Sequence, residues 1–226
     1  MLQHDDWLAE RIGKAAWRLD PGGDSAEAAK VSGPAFIDTR VPTADIARVA
    51  QLSEVGFRLI DTAVTFRHAN PGGGTPGTAE TAMAAAGDAD DIARIAATNF
   101  RSDRFHADPA IDDTAADRIK ADWARNFFAG ARGDWMVVAR ADGRVAGFLQ
   151  LLDRDDAVVI DLIAVDAAAR NQGLARAMIG FAARSCRPGA PMRVGTQLTN
   201  LASIRLYQSL GFELESSEHV MHRHVY

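Results

Sequence analysis

The chain carries a short polar loop, Arg170–Gly173, whose residue types suit phosphate binding. A glycine at the entrance of a helix lets several backbone amides point toward one place. Unpaired amides, together with the helix dipole, attract anions. The arginine adds a fork-shaped cationic donor beside them. The same residues would also suit an ordinary turn between a strand and a helix, so the loop alone leaves both interpretations open.

Two elements must position this loop. Before it, Val158–Val165 is an apolar run interrupted only by Asp161, which is typical of a strand covered on both faces. After it, apolar residues recur at helical spacing from Leu174 to Ala182. The sequence therefore predicts a strand, an anion-binding loop and a helix in that order.

A second pattern follows downstream and completes a resemblance. The loop and the start of its helix read R-x-x-G-x-A over Arg170–Ala175, and Asn200–Phe212 reads N-x-x-S-x-x-x-Y-x-x-x-G-F. In this order and spacing, the two motifs resemble the pyrophosphate loop and the following helix and strand of the GNAT superfamily of N-acyltransferases, which use acyl-CoA.

A closer resemblance rests on looser motifs. Ser102–Pro109 reads S-x-R-F-H-x-D-P, Trp123 follows it, and an N-terminal unit ends in GFRLIDTAVTF at Gly56–Phe66. This layout is similar to the dTDP-fucosamine acetyltransferase branch of the superfamily, which N-acetylates an amino group on a nucleotide-linked deoxysugar.

The resemblance implies an α/β (α+β) GNAT fold, with a mixed, mostly antiparallel sheet splayed at the acyl-CoA site. Along the chain we expect a small N-terminal α/β domain at 1–70, a Gly/Pro-rich linker at 71–79 and the acetyltransferase domain at 80–226. The formal G-x-G-x-x-G of Gly72–Gly77 is not a dinucleotide fingerprint, because Pro76 removes an amide and no helix is predicted at its third glycine.

The resemblance also implies acetyl-CoA as co-substrate and a primary amine as acceptor. The residues expected to bind acetyl-CoA are Ile163, Ala164, Val165, Arg170, Asn171, Gln172, Gly173, Leu174, Ala175, Arg176, Asn200, Ser203 and Tyr207. The residues expected to bind the acceptor are Arg104, Phe105 and His106. The polar residues of that segment include arginines, which suits a phosphorylated acceptor better than a polyamine.

Tyr207 and Asp161 are the expected catalytic residues. A thiol has a pKa near ~8.5 and a phenol near ~10, so Tyr207 suits the donation of a proton to the departing thiolate; otherwise its ring packs in the core. Asp161 is costly to bury without a partner, so it either accepts the amine proton or is a polar residue facing a cleft. Asn200 either contacts the pantetheine arm or caps its helix.

Two other functions stay open at this point. A non-catalytic acyl-CoA sensor would need the same phosphate loop, although Tyr207 and an open polar cleft favour an enzyme. An N-acetyltransferase of a peptide or a small polyamine would keep the chemistry and change only the acceptor. The charge of the side chains that line the acceptor pocket would distinguish between these acceptors.

A partial internal repeat links the two ends of the chain. Shifting Asp45–Phe57 by 155 positions places it on Asn200–Phe212, and Gly56-Phe57 then coincides with Gly211-Phe212. The N-terminal unit is therefore either a degenerate half of the same fold or a chance match. Thr43 is the expected cap of the first of these helices, at Ala44–Val55.

Composition narrows the class of protein. The net charge is −5 and apolar residues make up 47% of the 226 positions, which indicates a packed globular protein without broad affinity for nucleic acid. Cys186 is the single cysteine, so no intrachain disulfide can form. We expect a cytoplasmic protein, a monomer or a homodimer, without signal peptide or membrane span.

No metal site is expected. The histidines are scattered, and His219, His222 and His224 fall on the last of two predicted terminal strands, Phe212–Ser216 and His219–Val225. No cysteine or carboxylate stands near them in ligand spacing, so solvent-facing positions are the predicted environment of these imidazoles.

Overall fold

A computed structural model describes residues 1–73 and 79–226 of the chain. The strands in these residues are β1 Leu2–His4, β2 Ala15–Leu19, β3 Ala35–Pro42, β4 Arg58–His68, β5 Glu80–Met83, β6 Trp135–Ala141, β7 Arg144–Arg154, β8 Ala157–Val165, β9 Met192–Gln197 and β10 Glu213–Val225. The α-helices are α1 Asp6–Ile12, α2 Ser25–Ala29, α3 Ile46–Glu54, α4 Ala89–Asn99, α5 Asp113–Phe128, α6 Leu174–Ser185 and α7 Leu201–Ser209.

All of these strands belong to one sheet, in the order β1-β2-β3-β10-β4-β9-β8-β7-β6-β5. Within the described residues, only the pairs β2–β3 and β8–β9 are parallel, and the other neighbours are antiparallel. The predicted mixed, mostly antiparallel sheet is therefore confirmed.

Helices cover both faces of the C-terminal part of the sheet. One hydrophobic cluster joins α4 and α5 to β6, β7 and β8, with Ile95 and Phe148 fully buried. A second cluster on the opposite face joins α6 and α7 to the same strands and to β9, with Met178 at its centre. The strand before the polar loop is thus covered on both faces, as its apolar run predicts.

The last strand corrects two predictions. The two predicted terminal strands are one strand, β10, which is interrupted only by register shifts against β4. β10 lies between β3 and β4, so the end of the chain separates two strands of the N-terminal unit. The predicted division into domains at 71–79 therefore crosses a continuous sheet, and it stays a prediction. Residues 74–78 of that linker, with most of the G-x-G-x-x-G segment, lie outside the described residues.

Two local signals were missed or misread. Helix α1 was not predicted, although Asp5 caps it by accepting a hydrogen bond from the Leu8 amide at 2.9 Å. Helix α3 is capped by Asp45, which accepts from the Arg48 amide at 3.0 Å. The prediction that Thr43 caps this helix is wrong. The Thr43 hydroxyl instead forms a hydrogen bond with Ser217 Oγ at 2.7 Å, which connects the turn before α3 to β10.

The sheet order has an internal symmetry that supports the predicted repeat. The central strands β2-β3-β10-β4-β9-β8 read the same from both ends when β2 is matched with β8, β3 with β9 and β4 with β10. The matched pairs β2–β3 and β8–β9 are both parallel. Helix α3 then corresponds to α7, because each connects the second and third strands of its half.

The local geometry of the two repeats also matches. Asn200 accepts a hydrogen bond from the Ser203 amide and caps α7 as Asp45 caps α3. Gly56 and Gly211 follow the helices with φ of 91° and 83°. The next amide bonds back over five residues in both halves, from Phe57 to Leu52 and from Phe212 to Tyr207, each at 3.0 Å. That the N-terminal unit is a degenerate half of the fold remains a proposal, which this geometry supports.

The position of β10 predicts that the N-terminal unit does not fold alone. A fragment of residues 1–70 would leave β3 and β4 without the strand that pairs with both, and unpaired backbone groups at such a gap are unfavourable. We expect a random-coil far-UV circular dichroism spectrum and collapsed amide dispersion by NMR for this fragment. Structure should appear when a fragment of residues 71–226 is added; a folded isolated fragment would contradict the prediction.

Candidate active site

The cleft that holds the predicted site begins where two parallel strands separate. β8 and β9 pair only from Val158–Ile160 to Met192–Val194, although both strands continue beyond these residues. Among the described strands, the β9-facing edge of Ile163–Val165 is left without a partner. Backbone donors and acceptors on such an edge can pair with an extended ligand in the manner of an added strand.

A β-bulge at Asp161 accompanies this separation. On β7, Leu151 pairs with Ile160 and Gln150 pairs with Leu162, so Asp161 is the extra residue. The bulge changes the side-chain alternation: Ile160 and Ile163 both contact the cluster beneath α6, whereas Leu162 contacts the cluster beneath α4. The one charge in the apolar run therefore marks the bulge in the strand.

The polar loop after β8 ends in left-handed backbone geometry. Asn171 has φ of 63° and Gly173 has φ of 78°, and α6 begins at Leu174 without a side-chain cap. The first amides of α6 are therefore free to bind an anion. Helix α4 anchors the loop, because Arg170 donates to Asn99 Oδ1 at 2.8 Å and Arg94 bonds Asp166 at 2.7 Å.

A cavity of about 550 Å³ lies at this loop and along the free edge of β8. It brings together all but one of the residues predicted to bind acetyl-CoA: Ile163, Ala164, Val165, Arg170, Asn171, Gly173, Leu174, Ala175, Arg176, Asn200, Ser203 and Tyr207. The exception is Gln172, which is exposed and does not line the cavity. We call this space the loop cavity.

Helix α7 brings Asn200 and Tyr207 to the loop cavity. Asn200 caps the helix and still lines the cavity, so both of its expected roles are compatible with its position. Tyr207 is 2% exposed, and its ring packs between Phe66 and Phe212 with centroids 6.0 and 5.9 Å away. Burial raises the pKa of its phenol, against a smaller opposing effect of the Ser203 hydroxyl.

A second cavity of about 500 Å³ meets the first. Asp103 and Gln197 line both, so the two spaces adjoin at these side chains. We call this second space the cationic cleft, because the charged residues lining it are Arg18, Arg40, Arg104, Lys120, Arg132 and Arg193 against Asp38, Asp103 and Asp161. Of the residues predicted to bind the acceptor, Arg104 and Phe105 line this cleft, whereas His106 lines neither cavity.

Asp161 lies in the cationic cleft with several donors around it. Arg132 donates to both carboxylate oxygens, at 2.7 and 2.6 Å. Trp123 Nε1 and Gln150 Nε2 donate to Oδ2 at 2.9 and 3.1 Å. A bidentate guanidinium fixes the orientation of a carboxylate and occupies both of its oxygens. This environment favours an anchoring role over acceptance of a proton.

The segment after α4 connects the cationic cleft to the N-terminal unit. Arg104 forms a buried ion pair with Asp38 of β3, and Phe105 is 1% exposed in the cluster beneath α1. Burial alone would raise the pKa of Asp38, but Arg104 and the nearby Arg18 outweigh it and lower that pKa. Strand β3 thus contributes charged side chains to the cleft. Local sequence patterns do not predict this contribution.

The terminal histidines correct another prediction. His222 is 1% exposed, and its Nδ1 lies 2.6 Å from Asp108 Oδ2. His224 Nε2 lies 2.8 Å from the same oxygen, and Lys14 Nζ lies 2.9 Å from His224 Nδ1. These imidazoles are therefore not solvent-facing, because Asp108, which is distant in sequence, approaches them in the fold.

The same three residues could in principle ligate a cation, since their atoms lie within 4.8 Å of one another. The hydrogen-bond geometry favours a proton network instead. Lys14 donates to Nδ1 of His224, which leaves Nε2 as the protonated nitrogen that donates to Asp108. A lysine ammonium against a ligand imidazole would also repel a metal ion. We assign no metal to this cluster.

Comparison with known proteins identifies the family of the region that contains this loop. The model of the acetyltransferase (GNAT) family matches residues 90–212, which is more than half of the chain. The chain belongs to the GNAT family. Acetyl-CoA is the usual co-substrate of this family.

Individual relatives extend this result. The spore coat polysaccharide biosynthesis protein SpsD of Bacillus subtilis (strain 168) is 33% identical over 138 residues, which cover 60% of this chain and 47% of that protein. The match therefore spans about half the length of this curated relative.

Solved structures share the fold of this GNAT protein. A conserved protein of unknown function from Staphylococcus epidermidis aligns over 97% of this chain and 89% of its own, with a TM-score of 0.68 and 12% identity. A GCN5-related N-acetyltransferase from Kribbella flavida aligns over 92% and 81%, with a TM-score of 0.58 and 12% identity. In the described part of the chain, none of the helices combines the length and hydropathy needed to cross a bilayer.

Several residues of the site escaped sequence reasoning. Arg18, Arg40 and Asp38 come from β2 and β3, Lys120 from α5 and Gln197 from the end of β9. None stands in a motif, and only the pairing of distant strands brings them to one cleft. The cluster of arginines near Ser102–Pro109 was the single local signal for a cationic acceptor site.

The backbone of Gly173 provides a test of the loop. Gly173 and Gly189 have φ of 78° and 80°, and a Cβ at either position meets nothing within 4 Å. Alanine at either position should lower the free energy of unfolding by about 1–2 kcal/mol, because left-handed geometry disfavours a Cβ. Only Gly173→Ala should also weaken acetyl-CoA binding, measured by calorimetry. Equal acetyl-CoA affinity in the two variants would contradict the placement of the phosphates at this loop.

The buried His222 predicts a loss of stability in mild acid. Burial lowers the pKa of His222, and Arg104 lowers it further, although Asp108 opposes both. An unfolded histidine binds a proton near pH ~6.5, so the unfolded state binds more protons and the free energy of unfolding falls as the pH drops from 7 toward 5. His222→Gln should reduce this slope, by up to about 1.4 kcal/mol per pH unit.

Urea denaturation at several pH values measures this slope. His4→Gln is the comparison variant, because it removes one histidine at an exposed position outside this cluster. An unaltered slope in His222→Gln would show that the imidazole does not stay neutral in the folded protein.

Proposed function

We propose that the protein transfers an acetyl group from acetyl-CoA to a primary amine on a negatively charged acceptor, with a nucleotide-linked amino sugar as the leading class. The observation that carries this proposal is the cationic cleft, which adjoins the loop cavity at Asp103 and Gln197. An acceptor in that cleft could present its amine to a thioester bound along β8.

The charge of the cationic cleft favours one class of acceptor over the others. Six of its lining residues are cationic and three are acidic, whereas the whole chain carries a net charge of −5. Such a concentration of positive charge attracts anions and repels a polyamine. It therefore favours an acceptor with phosphate groups over a polyamine or a lysine side chain.

Arg40 shows that this positive charge is incompletely balanced. Burial lowers the pKa of its guanidinium, and repulsion from Arg104 lowers it further. The carboxylate nearest to it, that of Glu218, is 3.4 Å away. Arg18 is likewise loosely paired, 3.6 Å from Asp5 and 3.7 Å from Asp38. A bound phosphate or diphosphate group would relieve this repulsion by accepting hydrogen bonds from both arginines.

The relative SpsD supports a sugar acceptor. Its name assigns it to the biosynthesis of a spore coat polysaccharide, and the matched region shares 33% identity with this chain. An amino sugar in transit to a polysaccharide is commonly carried on a nucleotide, which would supply the negative charge that the cleft favours. Because the match covers 47% of SpsD, its role supports this assignment without establishing it.

In the proposed complex, acetyl-CoA occupies the loop cavity. The free amides at the start of α6 bind the pyrophosphate, and Arg170 and Arg176 lie beside them. The unpaired edge of Ile163–Val165 hydrogen-bonds the pantetheine amides. The thioester then lies near the junction of the two cavities, with its carbonyl against a backbone amide that stabilises the developing oxyanion.

Transfer requires one bond to form and one to break. The neutral amine attacks the thioester carbon, the C–N bond forms and the C–S bond breaks as sulfur takes a proton. We assign the donation of this proton to Tyr207, which lines the loop cavity, and the phenolate regains the proton that nitrogen loses as the amide forms. Its raised pKa keeps the phenol protonated at any working pH, so it can donate a hydrogen bond as charge develops on sulfur.

We propose an anchoring role for Asp161. It holds Arg132 in the cationic cleft through two hydrogen bonds, and the arginine would then contact the acceptor. Removal of Asp161 would leave Arg132 free to move and would affect acceptor binding more than the chemical step. The predicted alternative, acceptance of the amine proton, would instead lower kcat.

The experiment is a comparison of acceptors by thiol release from acetyl-CoA. We expect kcat/KM for a nucleotide-linked amino sugar to exceed that for the same free amino sugar by at least about tenfold, or about 1.4 kcal/mol. Arg40→Met should remove this preference and leave the free sugar nearly unaffected. Arg144→Met, at an exposed arginine at the start of β7 outside both cavities, is the matched control.

Tyr207→Phe belongs to the same assay. It should lower kcat about tenfold or more while KM for acetyl-CoA changes little, because only the proton donor is lost. Tight acetyl-CoA binding without turnover of any acceptor would instead support the sensor, and a preference for spermidine or a peptide would support the alternative acceptors.

A further inference from the structure

Within the described residues, Asp103 is one of two that line both cavities. It lines the loop cavity and the cationic cleft, and its side chain is only 6% exposed. The Phe105 amide donates to Oδ1 at 2.9 Å, which fixes the orientation of the carboxylate. Gln197, the other residue shared by the two cavities, has no titratable group.

A continuous chain of titratable groups leads away from Asp103. His106 Nδ1 lies 2.5 Å from Asp103 Oδ2, and its Nε2 lies 3.0 Å from Asp117 Oδ1. The side chain of His106 is 4% exposed, whereas that of Asp117 is 29% exposed. The chain therefore runs from the junction of the cavities, through a buried imidazole, to a carboxylate in contact with solvent.

The proposed reaction needs such a path. An acceptor ammonium must lose one proton before its nitrogen can attack and a second as the amide forms, while the leaving sulfur gains only one. Each turnover thus releases one net proton, and the junction of two occupied cavities would be shielded from water. Asp161 is a poor outlet, because Arg132, Trp123 and Gln150 already donate to it.

We propose that Asp103, His106 and Asp117 form a relay that carries the proton of the acceptor ammonium to solvent. Asp103 Oδ1 takes the proton from nitrogen, directly or through one water, as the proton that Asp103 Oδ2 shares with His106 Nδ1 across 2.5 Å moves onto the ring. His106 gives its Nε2 proton to Asp117, which releases it to solvent. The ring returns to its starting tautomer by exchange with water between turnovers. This assignment rests on the proposed acetyl transfer to an amine.

Other charged groups surround the relay. Lys120 Nζ lies 3.7 Å from Asp103 Oδ1, and Arg104 precedes Phe105 in the same segment. Asp61 lies on the other side, and part of its raised pKa, after the effect of burial, comes from the charge of Asp103. Arg101 faces the outer end, 3.2 Å from His106 Nε2 and 2.8 Å from Asp117. Cationic side chains thus lie against both carboxylates of the relay.

Lys120 is the competing proton acceptor. It is buried against the rings of Phe100, Phe105 and Trp123, 5.1, 5.6 and 5.2 Å from their centroids. Burial lowers the pKa of its ammonium, although Asp103 opposes this effect. Lys120 also lines the cationic cleft, and its ammonium lies 3.7 Å from Asp103, so we assign it the role of a counter-charge to Asp103.

The test is the pH dependence of kcat/KM for the acceptor found in the assay above. His106→Gln keeps a hydrogen-bonding side chain but cannot carry a proton through it. At pH 7 we expect a loss of about a hundredfold, the lower end of the range for acid–base catalysis, with unchanged affinity for acetyl-CoA. The loss should shrink as the pH rises, with a slope near one in log kcat/KM, because the acceptor then arrives as the free amine.

Asp117→Asn tests the same relay at its surface end, where a substitution does not disturb the core. It should show a smaller loss with the same pH dependence. Asp113→Asn, an exposed acid one turn earlier on α5, is the matched control and should behave as the wild type.

The outcomes separate the relay from the proposed function. A wild type that acetylates an amine, with pH profiles unaltered in both His106→Gln and Asp117→Asn, would overturn the relay alone. An altered profile in Lys120→Met but not in these two variants would transfer the role to the lysine. A wild type that acetylates no amine would remove the proposed function and the relay together.

Discussion

The site depends on the point where β8 and β9 stop pairing. Up to Ile160 the two strands hydrogen-bond to each other, and beyond the bulge at Asp161 they diverge. Divergence exposes backbone donors and acceptors that a strand would otherwise satisfy, which is unfavourable unless water or a ligand replaces the strand. The cavity of about 550 Å³ on one side of this break is bounded by the amides at the start of α6 and by α7. A single interruption in strand pairing therefore creates both the edge and the space that an extended cofactor needs.

The N-terminal unit contributes part of the charge of the second cavity, the cationic cleft. Because β10 pairs with both β3 and β4, the unit continues the sheet, and its strands contribute Arg18, Asp38 and Arg40 to the cationic cleft. The buried pair of Arg104 with Asp38 connects this wall to the segment after α4. A family model that matches residues 90–212 does not include β2 and β3. Part of the lining of the cationic cleft thus lies outside the region that the family model matches.

The sequence predicted what local patterns encode and missed what distant strands bring together. The loop of Arg170–Gly173, its flanking strand and helix, and Tyr207 were predictable because their spacing reflects one turn and two helical faces. The pairing of Asp108 with His222 joins residues 114 positions apart, and no local rule anticipates it. Strands β1 and β10 were missed or divided because their local patterns are weak. β1 has only three residues, and β10 carries a polar, exposed or half-buried stretch at Glu215–Glu218 that begins at a register shift against β4.

The matched halves of the sheet show what separates a binding site from a scaffold. In the C-terminal half, β8 and β9 pair over three positions and then diverge. In the N-terminal half, β2 pairs with β3 along its whole length, Ala15–Leu19, so no backbone edge is left for a ligand. Arg48 of α3 also donates to the Gly23 carbonyl, within the loop that corresponds to the one before α6. The shared caps and glycine turns hold the two helices in equivalent places. With so much of the architecture in common, the bulge at Asp161 and the strand separation that accompanies it distinguish the two halves. The C-terminal half has an unpaired backbone edge beside the loop cavity, whereas the described residues of the N-terminal half leave none on the β3-facing side of β2 and line the cationic cleft.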